Sequence, residues 1–352
     1  MVYSILVSSI ILSIFYVETV CSQHTRAKAD NRLAIFFGAI IILMAAFRGP
    51  KVGADTFAYM LDYENIPDYS FEFIKERYEG YLGYYYLSKL FTMASFPLPV
   101  WFGFLETVYL YSLYRLICHF KTDSKLLSLL IFVTTGLMMF SFAGLKQVLA
   151  MSMMIFAFLA FINKKYIIST ALIVYAYTCH SVALIFLVAF LFYLFRDKKY
   201  FYFIVGTGII ISIGASEWAL STMVEILDDE HYESYLEIDN TYTATTLIFY
   251  WIIVGVSLLG YKHYQRTDRL NARLVLGLSL TGCAIQAMAA ISPNAFRMAL
   301  LFTPFFMILI PKSLSESRNK SAYISILRLL EISMLTFYFL YTGRDAEYTL
   351  II

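Results

Sequence analysis

Residues 125–165 read KLLSLLIFVTTGLMMFSFAGLKQVLAMSMMIFAFLAFINKK. No charged side chain occurs from 126 to 145 or from 147 to 163. A single lysine, Lys146, separates the two runs, and Lys125, Lys164 and Lys165 bound them. A soluble helix carries an apolar stripe opposite a charged face. These runs are apolar all round, and each approaches the roughly 20 residues that cross a hydrocarbon layer as a helix. Lipid offers no hydrogen bonds, so a spanning segment must satisfy its own backbone. The stretch is therefore read as two membrane helices joined by a short polar turn.

The rest of the chain extends this pattern. Of 352 residues, 60% are apolar and only 15% charged, with a mean hydropathy of +0.69. A soluble domain carries about a quarter charged residues, and its core could not hide this much apolar surface. The expected fold class is all-α, a polytopic transmembrane bundle of about twelve spans. The candidate spans are 3–21, 33–47, 98–118, 125–143, 145–162, 165–179, 181–195, 200–217, 245–261, 274–291, 296–311 and 322–342. The segments 165–179 and 181–195 read equally as one tilted or broken pair. The first span lacks a basic flank and a small-residue cleavage site, so it reads as a retained helix. No repeat or low-complexity tract divides the chain, which reads as one integral membrane domain, 1–352, with external loops about 48–97 and 218–244.

Loop charge sets the expected orientation. One set of loops holds Arg26, Lys28 and Arg32, then Lys121 and Lys125, Lys164 and Lys165, Arg196, Lys198 and Lys199. It continues with Lys262, Arg266, Arg269 and Arg273, and ends with Lys312, Arg318 and Lys320. The opposite loops are acidic, most clearly from Glu225 to Asp239. Cationic short loops stay in the cytoplasm, so both termini and the acidic loops are expected outside. The net charge of +2 gives no reason to expect a nucleic-acid partner. Cys21, Cys118, Cys179 and Cys283 are scattered without metal-type spacing and read as small apolar fillers.

Patterns for a serine hydrolase, a zinc peptidase and a phosphate-cradling loop are absent from the sequence, as is any cluster suited to a metal. Neither a metal nor a cofactor is expected. Any chemistry then falls to polar residues near the outer membrane face. Arg48 and Asp55 lie in Phe47-Arg-Gly-Pro-Lys-Val-Gly53-Ala-Asp55-Thr56, just after the second span. Arg48 suits a helix C-terminus as an anchor, or a substrate cation. Asp55 reads as a turn residue or a base. Lys146 and Gln147 open the fifth span, and Arg297 opens the eleventh. A cation there opposes the helix dipole unless an anion binds, and a helix N-terminus with a cation suits phosphate. Snorkelling anchors are the competing reading. His180 lies between the sixth and seventh spans, and Glu106 is the one acid well inside a span. The run Tyr81-Leu-Gly-Tyr84-Tyr85-Tyr86 offers faces for sugar stacking, or belt and core packing.

The stretch Arg48-Gly-Pro-Lys-Val-Gly53-Ala-Asp55-Thr-Phe-Ala-Tyr59 resembles the segment after the second helix of EpsG-type proteins, the Wzy-like polymerases of bacterial exopolysaccharide, capsule and O-antigen. Gly144-Leu-Lys146-Gln147-Val-Leu-Ala150, Asn163-Lys-Lys165 and His180-Ser-Val-Ala183 resemble that family's central block, and Arg297 its late arginine. The family usually carries Arg-Gln where this chain has Lys146-Gln147, which keeps the charge but loses the bidentate fork.

The resemblance implies a fold like the GT-C-type membrane glycosyltransferases. It also implies a polymerase in the bacterial cytoplasmic membrane that works on its outer face. The donor would be a glycan on undecaprenyl pyrophosphate, the acceptor a lipid-linked repeat unit, and a flippase and a chain-length regulator could be partners. Arg48, Lys146, Gln147, Arg297 and Tyr59 would hold the pyrophosphate and substrate. His180, Asp55 or Glu106 would take the acceptor proton. A flippase for lipid-linked oligosaccharide would instead place cations at mid-membrane. An O-acyltransferase using cytoplasmic acyl-CoA would want an inner histidine, such as His119 or His263.

Overall fold

In the computed structural model, residues 1–214, 241–289, 293–314, 322–342 and 348–350 are described. Among them every regular element is a helix, which shows an all-α membrane protein. Each expected span is helical over most of its described residues, although 125–143 and 296–311 are interrupted and 181–195 opens with a 3-10 turn. Most of the acidic loop, 218–240, lies outside the described residues.

Among the described residues, six helices are long and apolar enough to cross a membrane: Val2–Thr19, His24–Ala46, Leu145–Ile162, Thr245–Thr267, Arg269–Met288 and Ala295–Ser313. The pair Lys125–Thr134 and Leu137–Ala143, bent by 59°, makes up to seven. The expectation of about twelve counted shorter stretches as spans. Tyr166–Cys179 and Ser181–Phe195 are apolar but short, and Leu98–His119 is diluted by Glu106, Arg115 and its tyrosines.

The chain packs as two compact units, 1–184 with 336–352, and 185–335. The first contains α1 (Val2–Thr19), α2 (Gln23–Ala46), α3 (Thr56–Asn65), α4 (Phe71–Arg77), α5 (Leu82–Met93) and α6 (Leu98–His119). It continues with α7 (Lys125–Thr134), α8 (Leu137–Ala143), α9 (Leu145–Ile162) and α10 (Tyr166–Cys179). The stretch 48–97, expected as a loop, is largely helical because α3, α4 and α5 fill it.

Helix α9 is the centre of this unit, packed on α6, α8 and α10, and 72% of its apolar window is buried against 33% for α1 and for α2. The outer two thus keep faces for lipid. The break between α7 and α8 falls at Gly136, whose φ of +85° suits a residue without Cβ. The start of α7 is capped twice. Ser124 Oγ accepts from Leu127 N at 3.2 Å. Asp30 of α2 accepts from Ser124 Oγ at 2.9 Å and from Lys125 N at 2.7 Å. Helices α9 and α10 run antiparallel, fixed where Ser169 Oγ donates to Ala157 O at 2.9 Å. That pairing returns the chain so that His180, just past α10, reaches the end of the unit where Lys146 starts α9.

Three chain segments meet at the same end. Tyr348 donates to Met44 O at 2.8 Å, Gly49 N donates to Thr349 O at 2.6 Å, and the Tyr3 ring sits edge-on to Tyr348 at 5.9 Å.

The second unit is built on α14 (Arg269–Met288), against which α11 (Leu187–Phe195), α12 (Phe201–Gly214), α13 (Thr241–Thr267), α15 (Pro293–Ala299) and α16 (Phe306–Ser313) pack. The last helix is α17 (Ala322–Thr342).

Candidate functional site

Arg48 is wholly buried, just past the end of α2. It donates from Nη1 to Ala45 O at 2.6 Å and from Nε to Thr56 Oγ1 at 3.3 Å, and its guanidinium lies 3.9 Å from the Phe102 ring centre. It thus closes the C-terminus of α2, where the dipole favours a cation. Burial lowers its pKa to about 10, which leaves it cationic at neutral pH. Its Nη2 is buried and makes no hydrogen bond. Glu106, on α6, is the nearby acid; it attracts Arg48 and lies within hydrogen-bond reach of Ser141.

The turn after Arg48 is clamped onto the end of α8. Thr56 Oγ1 reaches Val52 O at 2.5 Å and Phe142 O at 3.1 Å. Gly53 has a φ of +91°, and a Cβ on it would stand 2.8 Å from Phe142 O. Glycine is required there on both counts. Asp55 occupies the N-cap of α3 without a side-chain capping bond and is half-buried. Thr56, which the sequence reading left aside, does the structural work.

Lys146 and Gln147 occupy the first turn of α9, as expected; Gln147 is buried and Lys146 half-buried. The Lys146 ammonium faces three tyrosines. Its Nζ lies 4.1 Å from the Tyr81 ring centre, 5.5 Å from Tyr85 and 5.8 Å from Tyr59. Aromatic faces attract a cation by about 0.5–1 kcal/mol at exposed sites and more when dry, which offsets the opposing helix dipole. Tyr81 also meets His180 edge-on at 5.5 Å, so one ring touches both the cation and the imidazole. His180 is buried. Its position depends on a close approach of α5 to α10: a Cβ on Gly83 would stand 2.8 Å from Cys179 Sγ.

Of the three tyrosines, Tyr85 is itself braced, together with Tyr78, by Asp62 of α3. Its Oδ1 accepts from Tyr78 at 2.9 Å and its Oδ2 from Tyr85 at 2.7 Å. The Tyr78 and Tyr85 rings stack at 3.6 Å. The spacing of Tyr81, Tyr84 and Tyr85 already puts them on one helical face. Nothing in the sequence singles out Asp62 from the other acids between 48 and 97.

One unit therefore brings Arg48, Asp55, Tyr59, Glu106, Lys146, Gln147 and His180 to a common region. Arg297 belongs to the other unit. It lies half-buried in the short helix α15, in the first turn of the candidate span Ala295–Ser313. No group of three or more metal-ligating side chains occurs among the described residues.

No curated protein and no solved structure matches the chain. The family model for the EpsG family, however, matches residues 31–351, nearly the whole length and all of the residues above. The chain belongs to the EpsG family.

Proposed function

We propose that this protein is a polysaccharide polymerase that transfers a growing glycan from undecaprenyl pyrophosphate to a lipid-linked repeat unit. Membership of the EpsG family supports this class, and the meeting of Lys146, Tyr81 and His180 in one place is the observation that carries the mechanism. In this reading the chain crosses the bacterial cytoplasmic membrane about twelve times as one integral membrane domain, and the site faces outside.

Pyrophosphate is already a good leaving group, so the protein's main task is to neutralise charge as the glycosidic bond breaks. Lys146 is the half-buried cation that can reach a phosphate oxygen. Gln147 sits beside it in the first turn of α9 and Tyr59 lines its aromatic wall. Arg48 contributes its charge from below the surface, through the turn that it holds. The acceptor hydroxyl attacks the anomeric carbon from the face opposite the pyrophosphate and inverts it. His180 takes the hydroxyl proton as general base. Asp55 and Glu106 are the other bases within the same unit. Catalysis needs no divalent ion.

The test is incubation of the purified protein with a defined lipid-pyrophosphate oligosaccharide, with and without excess chelator. A product ladder spaced by one repeat unit, unchanged by chelator, is expected. No ladder, with transport of the intact lipid-linked substrate across vesicles, would overturn the polymerase reading. A ladder lost in chelator and restored by a divalent ion would overturn metal independence.

A further inference from the structure

Asp62 lies outside every motif that the sequence offers, yet it holds two tyrosines at once. Each of its carboxylate oxygens takes one hydroxyl, from Tyr78 at 2.9 Å and from Tyr85 at 2.7 Å. The two rings stack at 3.6 Å with an interplanar angle of 18°, and Tyr84 meets Tyr85 edge-on at 5.2 Å. Tyr85 is thus fixed at its hydroxyl, on one face and along one edge. Burial pushes its hydroxyl pKa well up, and the bond to Asp62 adds to this, so it stays a donor at neutral pH. The wall so fixed is one of the three that surround the Lys146 ammonium. A lysine has a flexible four-carbon stem, and its position is set by what it leans on.

We infer that Asp62 is a positioning residue: by tying Tyr78 to Tyr85 it fixes the aromatic wall that aims the Lys146 ammonium. The chain of contacts runs from α3 through α5 to the first turn of α9. Asp62 touches neither the ammonium nor, in this proposal, the substrate. Its role in turnover rests on the assignment of Lys146 to the leaving pyrophosphate, but its effect on Lys146 does not.

Two readouts on the purified full-length protein separate these statements. The first is the rate at which acetic anhydride modifies Lys146, followed by peptide mass spectrometry. In Asp62→Asn an amide nitrogen replaces one acceptor, and in Tyr85→Phe the ring stays while its bond to Asp62 is lost. Both should raise the Lys146 rate several-fold and leave Lys164 and Lys165, at the far end of α9, unchanged. The second readout is turnover on a lipid-pyrophosphate oligosaccharide. Both variants should lower kcat roughly tenfold with little change in KM, since a misplaced group costs the transition state more than the ground state. The double variant Asp62→Asn/Lys146→Ala should be no slower than Lys146→Ala, because an effect passed through Lys146 vanishes with it.

An unchanged Lys146 modification rate in both single variants would overturn the positioning role. A raised rate with near-wild-type turnover in Lys146→Ala would uphold it and overturn the assignment of Lys146 to the phosphates. Tyr85→Phe keeps the packing nearly intact, so the test survives if Asp62→Asn fails to fold.

Discussion

At Lys146 two forces oppose each other. The first turn of α9 repels a cation, and three tyrosine faces attract it. A phosphate would tip the balance further, because it gains from both the ammonium and the helix N-terminus. Lys146→Ala should therefore cut turnover by about 10²-fold, the usual loss on removing one donor that stabilises developing charge. Lys146→Arg should retain much of the activity, since the charge is kept and the family pattern has arginine there. Turnover of purified, monodisperse protein is the measurement; a near-wild-type rate for Lys146→Ala would remove the residue from the site. The same assay on Arg297→Ala tests that residue on its own. Gly53 makes a separate prediction about stability. With φ at +91° and Phe142 O only 2.8 Å from the place of a Cβ, Gly53→Ala should cost about 1–3 kcal/mol. A fall in the thermal midpoint in detergent would show it, and an unchanged midpoint would mean that the turn can shift without cost.

At the scale of helices, the start of α7 is held by a partner on α2. Asp30 accepts from Ser124 Oγ and from two backbone amides, Lys125 N at 2.7 Å and Leu126 N at 3.3 Å. A carboxylate at a helix N-terminus satisfies orphan donors and suits the dipole, and it also ties α7 to α2. Asp30→Ala should destabilise the protein by about 1–3 kcal/mol, because buried donors are then left without acceptors. Ser124→Ala, which removes one local cap, should cost about 1 kcal/mol or less than Asp30→Ala. Thermal unfolding of both variants checks the order; equal losses would mean that the link between the helices adds nothing to the cap.

At the scale of the whole molecule, the site lies where chain segments far apart in sequence converge. The segment 348–350 runs beside Arg48 and Gly49, joined by an isolated bridge between Arg48 and Leu350, and Tyr348 bonds back to Met44. Deletion of 348–352 should uncover Arg48. Phenylglyoxal should then modify Arg48 faster than in the intact chain, and an unchanged rate would mean that the tail is not what covers it. The charge pattern makes a second prediction. Cysteine labelling should reach positions near 60, 146, 180 and 348 from outside and those near 28, 122, 197 and 266 from inside. Lys146 and His180 on opposite faces would contradict the antiparallel pairing of α9 and α10.

The sequence alone determined the solvent. Apolar runs such as 126–145 and 147–163 have no stable place in water, and in lipid a helix is the conformation that satisfies its own backbone. Helix positions followed for the same reason, and 145–162 and 322–342 agree with the structure at both ends. The motifs around Arg48, Lys146 and His180 also gave the family, because their order along the chain carries that information. The number of crossings was less legible, since short apolar helices such as α10 and α11 look alike whether they span or only pack. The tertiary structure decided which side chains meet. Asp55, close to Arg48 in sequence, caps nothing, whereas Asp62 grips two tyrosines across helices. Arg48 is wholly buried while Lys146 keeps a partly open face. Such differences arise from how helices pack, and packing depends on close approaches like that of Gly83 to Cys179, which no local pattern in the sequence encodes.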